Sequence, residues 1–349
     1  MILRGSNTSP AVAGQYEIYD IGNNSVLAGY SLGQVGTEFQ FSGLGNFNGS
    51  DTTDMLLRNS NTGAFEVYDI SNNNITSAAS LGAVGMEYQV AGFGNFNGPG
   101  AGTDMMIRNV NTGAFELYDI NNNLITGASQ IGQVGLEWKV AGFGDFNGDG
   151  TTDMMLRNVN TGGFEVYNIN NGHVTSANSL GAVGNEYQVA GFGDFNGDGT
   201  TDMMLRNVNT GTFELYDINN NVITSAAAIG QVGLEWQVAG FGPMNGAGTS
   251  DMVLRNTNTG AFEVYDLSNN QLTGAASLGQ VGNEFQLGGF AADPPTTSTA
   301  SMGDSSQVAQ LVHAMAGFGA SSGAADSLNT APLGADISQQ PLLTTPQHA

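Results

Sequence analysis

"GDFNGDGTTDMMLRN" occupies residues 144 to 158 and recurs letter for letter at residues 193 to 207. Its acidic loop places Asp145, Asn147, Asp149 and Asp153 in alternation with small residues, a pattern that suits cation binding. Worn copies stand at residues 46 to 54 ("NFNGSDTTD"), 95 to 104 ("NFNGPGAGTD") and 243 to 251 ("PMNGAGTSD"). The arginines keep the same frame: Arg4, Arg58, Arg108, Arg157, Arg206 and Arg255 follow one another at 54 and then at 50, 49, 49 and 49 residues. A repeat near 49 residues outweighs chain length as a guide to domain count.

One copy shows what the unit is. Residues 186 to 192 ("EYQVAGF"), 202 to 207 ("DMMLRN"), 213 to 218 ("FELYDI") and 222 to 229 read as four short strands. "NTG" at 209 to 211 and "NNN" at 219 to 221 separate them, and Asn and Gly accept the left-handed conformations of hairpin turns. Tandem four-stranded units of this length read as all-β blades of a propeller. First-strand copies begin at Glu38, Glu87, Glu137, Glu186, Glu235 and Glu284; second-strand copies begin at Met1, Asp54, Asp104, Asp153, Asp202 and Asp251. Both sets number six, so six blades are expected, or seven if the chain is incomplete, because Met1 aligns with Met252 inside a full repeat. The repeats start on a second strand and end on a first strand, "EFQLGGF" at 284 to 290. Pairing that last strand with residues 2 to 34 would close the ring and leave no open sheet edge.

The propeller is expected over residues 1 to 291. Residues 292 to 303 have the composition of a linker, and residues 304 to 349 form a low-complexity tail expected to be mostly disordered. Asp304, Gln307, Val308, Leu311, Val312 and Met315 predict one short helix within it. Acids number 31 against 7 bases, for a formal net charge of -24. Nucleic acid is thereby a poor partner and cations are good ones. The absence of cysteine removes disulfides, thiolate nucleophiles and zinc-thiolate sites. No run of 18 apolar residues and no ordinary signal peptide is present, so neither membrane insertion nor an N-terminal export signal is expected.

The repeated residues divide into scaffold and site. Arg206 is expected to form a cross-strand ion pair with Glu214, and likewise Arg58 with Glu66, Arg108 with Glu116, Arg157 with Glu165 and Arg255 with Glu263. Aromatics after the first-strand glutamates are expected to pack between blades, with Trp138 and Trp236 the candidates for stacking on a sugar ring. In the intact loops the candidate metal ligands are Asp145, Asn147, Asp149, Thr151 and Asp153, and their twins Asp194, Asn196, Asp198, Thr200 and Asp202. These resemble the first nine residues of an EF-hand loop, and hard oxygens on a flexible loop suit calcium, for about two sites. The worn loops are expected to keep the turn and to bind metal weakly or not at all. His173, His313 and His348 share no frame with a nucleophile or acid, so no catalytic residue is expected.

"VAGFGDFNGDGTTDMMLRN" resembles the FG-GAP or VCBS-type repeat of bacterial surface and secreted proteins, also found in integrin α-chain propellers and a fungal lectin. The resemblance covers residues 1 to 291. It implies propeller blades, commonly seven, with calcium in the loop between a blade's first two strands, which marks the same two sets of residues. Family members include adhesins, lectins and modules attached to enzymes. The acidic tail, free of Lys and Arg, looks like the uncleaved signal read by a type I secretion apparatus. The expectation is a calcium-stabilised, non-enzymatic module at the cell surface or outside the cell, binding a glycan or a surface protein. The alternatives are a polysaccharide lyase or hydrolase and a purely structural surface protein.

Overall fold

The computed structural model describes residues 1–49, 52–98, 102–245 and 248–291. The linker, tail and short helix expected over 292 to 349 lie outside the described residues. Twenty-four strands, β1 to β24 in chain order, form six antiparallel sheets of four, with no helix among the described residues. The copy read from sequence becomes β16 (Tyr187–Gly193), β17 (Asp202–Asn207), β18 (Thr212–Asn219) and β19 (Val222–Gln231), hydrogen-bonded in that order. Its hairpins turn where Asn and Gly predict: φ is 48° at Asn220, 60° at Asn221 and 79° at Gly211. Two consecutive left-handed residues match the twist of the flanking strands.

The terminal strand closes the ring. β24 (Phe285–Gly289) runs antiparallel to β1 (Ile2–Gly5), pairing Leu3 with Leu287 and Gly5 with Phe285. β2 (Gln15–Gly22) and β3 (Ser25–Gln34) complete that sheet. The Ser6 N–H extends the pairing by donating to the Glu284 carbonyl at 2.7 Å. The innermost strands β4 (Phe39–Gly45), β8 (Tyr88–Gly94), β12 (Trp138–Gly144), β16, β20 (Trp236–Gly242) and β24 then touch in sequence and return to β4. The result is a six-bladed propeller.

Packing between blades recurs with the repeat. In four successive junctions the loop phenylalanine of one blade meets the inner-strand phenylalanine of the next edge to face: Phe47 with Phe93, Phe96 with Phe143, Phe146 with Phe192 and Phe195 with Phe241. All eight rings are buried, and burying each stabilises by about 1.5–3 kcal/mol. The neighbouring glycines leave room for them. A Cβ on Gly142 would lie 2.2 Å from Phe192, and one on Gly92 would lie 2.3 Å from Phe143.

The expected arginine–glutamate pairs are not made. The register sets Arg206 opposite Phe213 and Glu214 opposite Leu205. The Arg206 guanidinium lies 5.1 Å from the Phe213 ring centre and donates onward to blade five, to the carbonyls of Trp236 and of Gly233, the latter at 2.9 Å. Glu214 instead accepts the hydroxyls of Tyr187 and Tyr216. Arg58, Arg108 and Arg157 reach the next blade in the same way. The carboxylate nearest in charge to Arg206 is Glu235, at the head of that next blade. The arginines are therefore clamps between blades.

Candidate functional site

The two intact acidic loops join β12 to β13 (Asp153–Asn158) and β16 to β17. Each is bolted to its neighbours from inside. Phe146 fills the next interblade core, and the backbone of Asp145 is held by Thr201 of the following loop, through Asp145 N–H to Thr201 Oγ1 at 3.1 Å and Thr201 N–H to the Asp145 carbonyl at 2.8 Å. Thr152 and Asn95 repeat both bonds, and the Ser250 N–H donates to the Asp194 carbonyl at 2.9 Å. Neighbouring loops are thus chained around one end of the ring.

Within the first loop, glycines at 148 and 150, with φ of 79° and 81°, wrap the chain about Asp145. Its Oδ1 accepts Gly148 N–H at 2.7 Å and Asp149 N–H at 3.1 Å, and its Oδ2 accepts Gly150 N–H at 2.8 Å. Asn147 Oδ1 accepts Asp149 N–H at 2.8 Å, and Asp149 accepts the backbone and hydroxyl of Thr151. Thr151 Oγ1 also ties the loop to the Ile169 carbonyl at 2.9 Å. The twin loop repeats these bonds at Asp194, Asn196, Asp198 and Thr200.

Asp153 is fully buried: Oδ1 accepts Ile169 N–H at 3.0 Å, while Oδ2 has no partner of normal hydrogen-bond geometry, the Phe146 N–H only pulling on the carboxylate from farther off. Burial, and then the charges of Asp149 and Asp145, push its carboxyl up to about 8. Burial likewise raises Asp202 to about 8, with Asp217 and Asp198 adding to it. At Asp198 the upward push of burial is outweighed by hydrogen bonds from Thr200, and its carboxyl is lowered. A buried acid with a bare oxygen, crowded by like charges, is what a hard cation would relieve. Among the described residues no three acidic or histidine side chains are already drawn together as a metal cage; in both loops carboxylates turn onto backbone amides instead.

The worn loops differ at one point. Asn48, Asn97 and Asn245, the counterparts of Asn147, donate their Nδ2 to the ninth-position acids Asp54, Asp104 and Asp251, at 3.3, 2.9 and 3.5 Å. An amide proton stands there in place of a cation. In the first intact loop Asn147 Nδ2 goes to Asp149 at 3.0 Å, leaving Asp153 open. In the first intact loop the donor set leaves Asp153 Oδ2 for a cation; in its twin, Asp202 Oδ2 accepts the Phe195 N–H at 3.1 Å, as Asp54 Oδ2 accepts that of Phe47, and only the acids at the first and fifth positions set that loop apart from the worn three.

Residues 145–205, both intact loops and the blade between them, match the family model described as an FG-GAP-like repeat. The six-bladed propeller thus carries an FG-GAP-like match across blades three and four. No curated protein matches. Among solved structures, a chain of a nidogen–laminin complex is similar at 10% identity and a TM-score of 0.46, over 76% of this chain and 89% of that one. A Bacteroides caccae protein of unknown function is 12% identical, TM-score 0.46, over 80% and 93%. Regucalcin, a calcium-binding protein from Agrobacterium tumefaciens, is 12% identical, TM-score 0.41, over 68% and 78%. Likenesses this remote carry no information on ligand or activity.

At the other end of the innermost strands lie Trp138 and Trp236, the first residues of β12 and β20, half-buried against the interblade clusters. The residue after each aromatic forms a second column: Gln40, Gln89, Gln188, Gln237 and Gln286 are exposed, one on each innermost strand, and the sixth place is taken by Lys139. It is the chain's only lysine. The column, and its one break at Lys139, are legible in the sequence. His173 stands exposed at the start of β15 (His173–Ala182).

Proposed function

We propose that this propeller is an exported, calcium-stabilised, non-enzymatic binding module whose ligand is a glycan or a glycan-bearing surface partner. The observation that carries the calcium assignment is the buried, unpartnered Oδ2 of Asp153 beside Asp145 and Asp149. Asp145, Asn147, Asp149, Thr151 and Asp153 would hold one ion, and Asp194, Asn196, Asp198, Thr200 and Asp202 a second. The bound cation would supply the positive charge that each loop lacks in a chain of net charge -24. Because the loops are linked to neighbouring blades through Thr152, Thr201 and Ser250, ordering them stiffens the whole end of the ring. Binding to the folded state alone would add about 2.7 kcal/mol per site at 100 times Kd.

The binding role is supported by half-buried Trp138 and Trp236 at the opposite mouth, where indole faces suit sugar rings. The exported location is proposed from the resemblance of the acidic tail, free of Lys and Arg, to a type I secretion signal. Thermal melts in chelator and in millimolar calcium test the metal: a higher midpoint with calcium supports the proposal, and an unchanged one defeats it. A glycan array with product analysis tests the rest. Retention of a sugar without turnover is expected, and cleavage of any retained sugar would make the protein an enzyme.

A further inference from the structure

Lys139 is the one cationic side chain in a column that is otherwise glutamine. It sits on innermost strand β12, beside Trp138, paired across the ladder with Arg157. It is half-buried, and it makes no hydrogen bond or ion pair to any described residue. That is unusual where acids outnumber bases 31 to 7: an ammonium among so many carboxylates, left unpaired, is available to something else. Resting on the glycan-binding reading above, we propose that the axial mouth bearing Lys139 and the five glutamines is the saccharide subsite, and that it selects a sugar carrying a single carboxylate.

The chemistry follows from the side chains. Each glutamine amide offers a donor and an acceptor together, which matches vicinal hydroxyls. Lys139 offers three donors and a charge, which matches a carboxylate. A polyanion would meet the protein's own charge, including Glu137 and its counterparts at the heads of the other blades, so one acidic sugar is accommodated better than a run of them. Burial, and then the Arg108 charge, lower the Lys139 pKa from its ordinary value against an opposing pull from Glu137; a bound carboxylate would add to that pull and raise it.

The test substitutes the residue that the other five blades already carry. Lys139→Gln should fold as the parent does, because the same strand position accepts glutamine everywhere else in the ring. Titration calorimetry would compare cellobiouronic acid with cellobiose, which differ by one carboxylate. The parent protein should bind the acid about tenfold more tightly, a difference of about 1.4 kcal/mol. Lys139→Gln should abolish that preference, Lys139→Arg should keep it, and Gln188→Ala should weaken both sugars. A preference unchanged in Lys139→Gln, or equal binding of both sugars by the parent, would overturn the subsite while leaving glycan binding intact. No binding of either sugar at 10 mM, or of any neutral or acidic glycan on the array, would overturn both, and preference for a free peptide carboxylate over the sugars would replace the ligand class.

Discussion

Gly142→Ala should loosen the junction between blades three and four. The added carbon would lie 2.2 Å from Phe192 Cε2 and 2.6 Å from Cδ2. That ring is 1% exposed and already meets Phe146 at 5.6 Å, so it has no free volume into which to withdraw. Overpacking of this kind costs about 1–3 kcal/mol. For a propeller of this size the melting midpoint should fall by roughly 2–8 °C. Gly248→Ala is the control, since no atom lies within 4 Å of its Cβ position. Pairing Gly142→Ala with Phe192→Leu should recover part of the loss, because a narrower side chain admits the methyl group. Melts followed by circular dichroism would refute the packing argument if Gly142→Ala left the midpoint in place, or if the double variant lost the simple sum of the two single effects.

Three further outcomes follow. Arg157→Lys should destabilise by about 2–4 kcal/mol, because a lysine cannot fork onto the carbonyls of Tyr187, Val183 and Gly184, whereas Glu165→Gln should shift stability by under about 1 kcal/mol; denaturant titration compares them. Asp153 and Asp202, each raised to about 8 from an ordinary 3.8, bind protons more tightly folded than unfolded. Their contribution in chelator is therefore fully present below about pH 4 and is lost as pH rises through about 8, while calcium affinity should strengthen over the same rise; melts and titrations from pH 6 to 8.5 would show both trends. Ending the chain after residue 283 removes β24, exposes the edge of β1 and should cause aggregation, whereas ending it after Asp293 should leave a folded ring, as size-exclusion chromatography would report.

The repeat was legible because each blade solves the same packing problem with the same residues. Strand order, the Asn-rich turns and closure by residues 284 to 290 all follow from patterns within one unit. What the sequence concealed lies between units. Arg206 and Glu214 are neighbours on adjacent strands, and alternation alone favours pairing them. The guanidinium is long enough to cross to the carbonyls of Trp236 and Gly233, and no within-unit pattern reports that reach. The candidate metal loops were readable from Asp149 and Asp198, which the worn copies lack. The swing of the third-position asparagine follows from that difference but needs the structure to be seen: Asn147 donates to Asp149, and Asn97, whose loop has no acid at the fifth position, donates to Asp104 instead.

The central claim is that two loops, and two only, take up calcium. Isothermal titration of the metal-free protein with calcium measures it directly. Two equivalents should bind to the parent and one to either Asp153→Asn or Asp202→Asn, each of which keeps the oxygen that accepts the Ile169 or Ile218 N–H. No uptake by the parent, or an unchanged stoichiometry in both variants, would contradict the assignment.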